Sequence, residues 1–115
     1  MESTAAIDAL KALAQDTRLA AYRALVGERD GMAAGDLARQ LMVPQNTLSA
    51  HLAILAASGL VDSEKHGRSI IYKASLARLE ELMLFLAQDC CGGSPALCLP
   101  FLDKLTTHNE KKGCC

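Results

Sequence analysis

The chain has no tryptophan, only two tyrosines and two phenylalanines, three prolines, and no cysteine before position 90. Aromatics make up 3% of the 115 residues while half of the chain is apolar. That apolar half is mostly Ala and Leu, so helices should dominate. No run of about 18 apolar residues occurs, which excludes a membrane-spanning helix. The N-terminus lacks the basic-then-apolar pattern of a secretory signal. A single cytoplasmic domain with no membrane partner is expected. Cysteines confined to the last quarter do not make a disulfide scaffold, which would spread them through the fold. No Ser-His-Asp set, phosphate loop or paired carboxylates stand out. Histidines at 51, 66 and 108 are scattered, so neither an enzyme nor a catalytic cofactor is expected. Internal repeats are absent.

Net charge is −1, which does not announce a nucleic-acid binder. What counts for such binding is a local basic stripe. Lys65, His66, Arg68 and Lys73 cluster in one short stretch, while Glu80, Glu81 and Asp89 follow later. A solvated hairpin is the bland alternative for that cluster.

The most informative stretch runs from Val43 to Val61. Leu48, Leu52 and Leu55 recur at helical spacing and should face a core. Pro44 fits the first turn of a helix. Gly59 fits the left-handed residue that ends one, with Leu60 as the apolar contact beyond it. Gln45, Asn46, Thr47 and Ser49 lead this helix with uncharged donors and acceptors. Such side chains can read base edges, or they can be the polar start of a plain surface helix. The preceding run, Ala34 to Leu41, reads as a short helix. Met42-Val43-Pro44 then makes a tight turn, which completes the helix-turn-helix plan. Downstream, Val61 to Ala74 reads as a β-hairpin with His66-Gly67-Arg68 at its tip, the wing of a winged helix-turn-helix.

Around this unit the pattern predicts a first helix over 4–13 with Ile7, Leu10 and Leu13 on one face. A second helix should be N-capped by Asp16 and bury Leu19, Tyr22 and Val26. A polar turn over 27–31 and a short extended Met32-Ala33 follow. Ser75 should cap a last helix that Gly92-Gly93 ends near Cys90-Cys91. That last helix is apolar on more than one face, so a two-fold partner using it and the first helix is expected. The fold class expected is therefore mainly α with a small β-hairpin, a homodimeric winged helix-turn-helix. Residues 1–89 should form the DNA-binding and dimerisation domain. Residues 90–115 should form a cysteine-containing inducer-binding segment, with 106–115 as a tail.

Cys90, Cys91 and Cys98 form the second informative group. Three thiolates without a nearby His leave a zinc site one ligand short. Soft thiolates select soft ions, and trivalent arsenic or antimony takes three sulfurs in a pyramid. Two thiolates would suffice for methylarsenite. A Cys90–Cys91 redox pair and a merely reactive thiol cluster are the alternatives. Cys114 and Cys115 fall in the tail, where order is usually poor.

Taken together, these residues resemble the ArsR/SmtB family of metal-sensing winged helix repressors, over roughly residues 5–98. The resemblance is carried by Leu13-Ala14-Gln15-Asp16-Thr17-Arg18-Leu19, Asp36-Leu37-Ala38 and Thr47 to Leu55. Gly59-Leu60-Val61 and Gly67-Arg68 through Tyr72 complete it. It implies a homodimer that binds double-stranded operator DNA when empty and leaves it when loaded. Two family sites are missing. The Cys-Val-Cys-Asp-Leu-Cys motif of well-known arsenic sensors is replaced by Met32-Ala33-Ala34-Gly35-Asp36-Leu37. The last helix offers Arg78, Glu80 and Glu81 but no His for zinc. Cys90, Cys91 and Cys98 match members that hold arsenite through a Cys pair and a third Cys. By the same resemblance Gln45, Asn46, Thr47 and Ser49 would meet bases, Lys65, His66 and Arg68 would meet phosphate or the minor groove, and His51 would pack or contact phosphate. A thiol redox-sensing repressor, or a cytosolic arsenic-binding protein without a DNA role, are the rival functions.

Overall fold

A computed structural model describes residues 1–90, with side chains described through residue 87. Five helices and three strands follow one another. They are α1 (Ser3–Leu13), α2 (Asp16–Val26), β1 (Met32–Ala33), α3 (Ala34–Leu41), α4 (Gln45–Ala57), β2 (Val61–His66), β3 (Ser69–Ala74) and α5 (Leu76–Cys90). The sheet is antiparallel in the order β1-β3-β2. This is the winged helix-turn-helix that the sequence pattern anticipates.

The core is leucine-rich because Leu fills a helix-lined interior without polar atoms. Leu25, Leu37, Leu48, Leu52, Leu55 and Leu60 are the largest fully buried side chains. Each contributes about 1.5–3 kcal/mol of burial free energy. Three of the six lie on α4, so α4 is the central helix and its predicted stripe is correct. Its end is also as expected. Gly59 has φ 84, Leu60 N–H donates to Leu55 O at 3.1 Å and Gly59 N–H donates to Ala56 O at 3.0 Å. These two bonds and the buried Leu55 and Leu60 make a Schellman cap.

Three local expectations differ from what is found. Helix α1 buries Ala6, Ala9 and Ala12, while Ile7 and Leu10 remain 49% and 42% exposed. A helix that crosses its neighbours closely needs small residues at the contact, so the larger ones turn outward. Leu13 is half-buried at the core edge. In α2 the buried residues are Ala21, Tyr22 and Leu25, and Leu19 is 45% exposed. The cap of α2 is Gln15, whose side chain accepts from Arg18 N–H at 2.8 Å. Asp16 is instead the first helical residue, where its charge suits the positive helix end.

Two further starts are well defined. Pro44 is the residue just before α4, extended at φ −61 and ψ 142. Its carbonyl accepts from Leu48 N–H at 3.0 Å. Ser75 Oγ accepts from Arg78 N–H at 3.3 Å, as an N-cap should. The outward faces of α1 and α5 carry Ile7, Leu10, Leu76, Leu84 and Leu86, each more than 40% exposed. Gly92 and Gly93 lie outside the described residues.

Candidate nucleic-acid interface

Helix α3 presses Leu37 and Ala38 into the core. The chain then reverses through Met42, which takes a left-handed φ of 57 and is 90% exposed. Val43 N–H donates back to Ala38 O at 3.0 Å, closing the turn. The reversal leaves the first turn of α4 protruding. Gln45, Asn46 and Thr47 are exposed there, and Ser49 is half-buried beside them. Asn46 Oδ1 accepts from Thr47 N–H at 2.9 Å, which satisfies one of the unpaired donors of a helix start. Gly35 lets the Gln45 amide lie close. A Cβ there would sit 3.3 Å from Gln45 Oε1.

His51 is one helical turn beyond Thr47 and half-buried. Its Nδ1 lies 3.4 Å from Arg18 Nη1. A guanidinium only donates, so a hydrogen bond between them needs Nδ1 as the acceptor. Arg39 of α3 is exposed and pairs with Asp36. Neither Arg18 nor Arg39 was among the candidate residues. The Arg18–His51 pair spans 33 residues and has no local signal.

The wing turns through two residues, Gly67 and Arg68, between paired His66 and Ser69. Gly67 has φ 64, and Met42 is the one positive-φ residue besides glycine among those described. A glycine with positive φ at the first central position suits the primed two-residue turns, whose twist matches a hairpin. Cross-strand pairing then fixes the faces. Asp62, Glu64, His66 and Lys73 share one face, while Lys65 lies on the other with Ile70 and Tyr72. Arg68 stands at the tip. The four clustered cations are therefore divided, and two acids stand among them. Glu64 Oε2 lies 3.2 Å from His66 Nε2 and 3.7 Å from Lys73 Nζ. The His66 hydrogen bond, and after it the Lys73 charge, hold the Glu64 carboxyl below its ordinary range.

Of the cysteines, Cys90 is the last residue of α5. Cys91 and Cys98 lie outside the described residues, as do Cys114 and Cys115. Among the described residues no group of three or more His, Cys, Asp or Glu could hold a metal ion. None of the described helices is long and apolar enough to cross a membrane.

A family defined as a helix-turn-helix domain matches residues 13–64. The transcriptional activator HlyU of Vibrio cholerae is 30% identical over 89 residues, covering 77% of this chain and 81% of that protein. The structure of HlyU superposes with a TM-score of 0.61, over 78% of this chain and 99% of the other. The chain belongs to the ArsR/SmtB family of winged helix-turn-helix regulators. A second relative is the HTH-type transcriptional repressor SmtB of Mycobacterium tuberculosis, 35% identical over 80 residues. The match covers 70% of this chain and 58% of that protein. A homodimeric winged helix-turn-helix DNA-binding domain from Mycobacterium bovis, described as a possible ArsR-family regulator, gives a TM-score of 0.61 at 26% identity. It covers 79% of this chain and 85% of the other. ArsR/SmtB members are DNA-binding transcriptional regulators rather than enzymes. In this ArsR/SmtB chain α3 and α4 form the helix-turn-helix and the β2–β3 hairpin is the wing.

Proposed function

We propose that this chain is an arsenic-responsive, cytoplasmic transcriptional repressor that binds operator DNA as a homodimer and leaves it when a trivalent arsenical binds. The observation that carries the DNA reading is the protruding, uncharged leading turn of α4. Gln45, Asn46, Thr47 and Ser49 would read base edges in the major groove. His51 would support them, while Lys65, His66 and Arg68 of the wing would meet the backbone or the minor groove. Phosphate contacts set affinity and its salt dependence, and base contacts set sequence.

The exposed Ile7, Leu10, Leu84 and Leu86 support a two-fold partner on α1 and α5, and the Mycobacterium bovis relative is homodimeric. Repression follows the SmtB relative, a repressor, over HlyU, an activator. The donors proposed for the arsenical are the thiolates of Cys90, Cys91 and Cys98, within the 90–115 segment. They would supply three soft sulfurs to arsenite or antimonite, or two to methylarsenite. Cys90 ends the helix that carries the proposed dimer surface. Thiol binding there would change how two protomers meet, and two recognition helices must stay about 34 Å apart to share one face of DNA. Inducer and DNA would then oppose each other reciprocally, typically by about 1–3 kcal/mol.

The test is fluorescence anisotropy on duplexes tiled upstream of the protein's own gene. Arsenite, methylarsenite, zinc and peroxide are titrated separately, with Cys98→Ser in parallel. Release by arsenite that Cys98→Ser abolishes supports the three-thiolate switch. Release by methylarsenite in both proteins supports a two-thiolate site. Release by peroxide alone replaces the arsenical reading with redox sensing. Arsenite binding without DNA binding removes the repressor reading.

A further inference from the structure

Helix α1 carries the outward Ile7 and Leu10, and α4 carries the base-reading turn. Among the described residues one side chain joins them by hydrogen bonds. Arg18 Nε donates to Ala12 O at 2.6 Å and Nη2 to Lys11 O at 3.4 Å. Both carbonyls belong to the last turn of α1, and Lys11 O also accepts from Ala14 N–H at 3.2 Å. Nη1 reaches His51 Nδ1 at 3.4 Å, and the Arg18 backbone N–H is held by Gln15 Oε1 at 2.8 Å. All three guanidinium nitrogens are used, so the plane of the group is fixed. A surface groove opens beside it. It measures about 280 Å³ and is lined by Asp8, Lys11, Arg18 and Ile54 among others.

We infer that Arg18 is a positioning residue that sets the roll of the recognition helix relative to α1. This rests on the reading of α4 as the DNA-reading helix. The apolar stripe Leu48, Leu52 and Leu55 decides which side of α4 faces the core, but apolar contacts are not directional. A planar guanidinium between two fixed carbonyls and a ring nitrogen is directional. His51 shares a face with Thr47, one turn away. Holding the His51 ring therefore holds the face from which Thr47 approaches DNA. Any displacement of α1 would pass through the same side chain to α4. Arg18 thus offers a route from the outward face of α1 to the operator, without itself contacting DNA.

The full chain and its Arg18→Lys, Arg18→Gln and His51→Ala variants are compared by anisotropy on the same tiled duplexes, from about 50 to 200 mM salt. Lysine keeps the charge and loses the fork. The expected result for Arg18→Lys is a Kd raised about tenfold or more, with an unchanged salt slope and an unchanged far-ultraviolet circular dichroism spectrum. Adding His51→Ala to Arg18→Lys should cost nothing further, because the two residues act as one unit. Imidazole ¹⁵N shifts of free protein should show His51 as the Nε2–H tautomer, and a tautomer mixture in Arg18→Lys. This holds whether or not DNA is present. Wild-type Kd in Arg18→Lys, or losses that add in the double variant, overturn the inference. So does a salt slope that falls by about 0.9 in Arg18→Gln, which would make Arg18 a phosphate contact. A wild-type chain that binds no duplex overturns the reading of α4 and the inference with it. A wild type that binds while Arg18→Lys binds equally overturns the inference alone.

Discussion

Glu64→Gln should make this protein bind DNA more tightly and more salt-sensitively. In the wing, one carboxylate stands 3.2 Å from His66 Nε2 and 3.7 Å from Lys73 Nζ. Asp62 occupies the same face of the hairpin. If the hairpin docks on DNA as proposed, Lys73 is a further cation beside the backbone, and Glu64 competes with phosphate for it. Removing the Glu64 charge frees it. One additional phosphate neutralised steepens the dependence of log K on log salt by about 0.9. Between 50 and 200 mM salt this adds about 3.5-fold to the loss of affinity, and about 12-fold if His66 is also recruited. The assay is an anisotropy titration at several salt concentrations, with the thermal midpoint as a control. All groups involved are exposed, so the midpoint should hardly move. The carboxyl is held below its ordinary range by His66 and Lys73. What stability it supplies is complete above that range and fades as pH falls through the lowered value, so wild type and variant should differ least in acid. Identical salt slopes for the two proteins at neutral pH would refute the reasoning, because the wing would then not be exchanging its carboxylate for phosphate.

Two other substitutions test the scaffold. Gly31 has φ 83, and a Cβ there would meet Tyr72 O at 2.6 Å and Ile71 Cγ2 at 2.7 Å. Gly31→Ala should cost about 2 kcal/mol or more in urea unfolding, since left-handed strain alone costs about 1–2 kcal/mol. A loss below half of that would show that the β1–β3 pairing yields easily. Tyr22 is buried, and among the described residues its hydroxyl has no hydrogen-bond partner. Tyr22→Phe should raise stability by about 1 kcal/mol, the lower end of the cost of an unpaired buried hydroxyl. Burial also pushes the Tyr22 hydroxyl up. Its neutral-form advantage is therefore complete below the ordinary tyrosine range and lost as pH rises through the raised value, a loss that Tyr22→Phe should abolish in alkaline unfolding curves.

Much of the recognition unit was legible in the sequence because its signals are local. Leu48, Leu52 and Leu55 repeat within one helix. Gly59 and Leu60 cap it, and Gly67 turns the hairpin within two residues. What was missed depends on partners far along the chain. Periodicity grouped Ile7, Leu10 and Leu13, but the closeness of the α1 crossing decides that Ala6, Ala9 and Ala12 go inward. The cations at 65, 66, 68 and 73 look like one patch along the chain. Strand alternation separates them and seats Glu64 among His66 and Lys73. The Arg18–His51 bond depends on the docking of α1 and α2 on α4, which no short motif encodes. The thiol group at 90, 91 and 98 was legible as chemistry, and two of its three members lie beyond the described residues.

The two-residue strand β1 has a consequence for modularity. Met32 pairs with Tyr72 and Ala33 with Ile71 of the wing, and α3 begins at Ala34, with no linker between. The sheet thus splints the wing to the first helix of the recognition unit. A wing exchanged between regulators as residues 61–74 alone would arrive without its third strand. The transplantable cassette runs from β1 through β3, with the helix-turn-helix and the wing moving together.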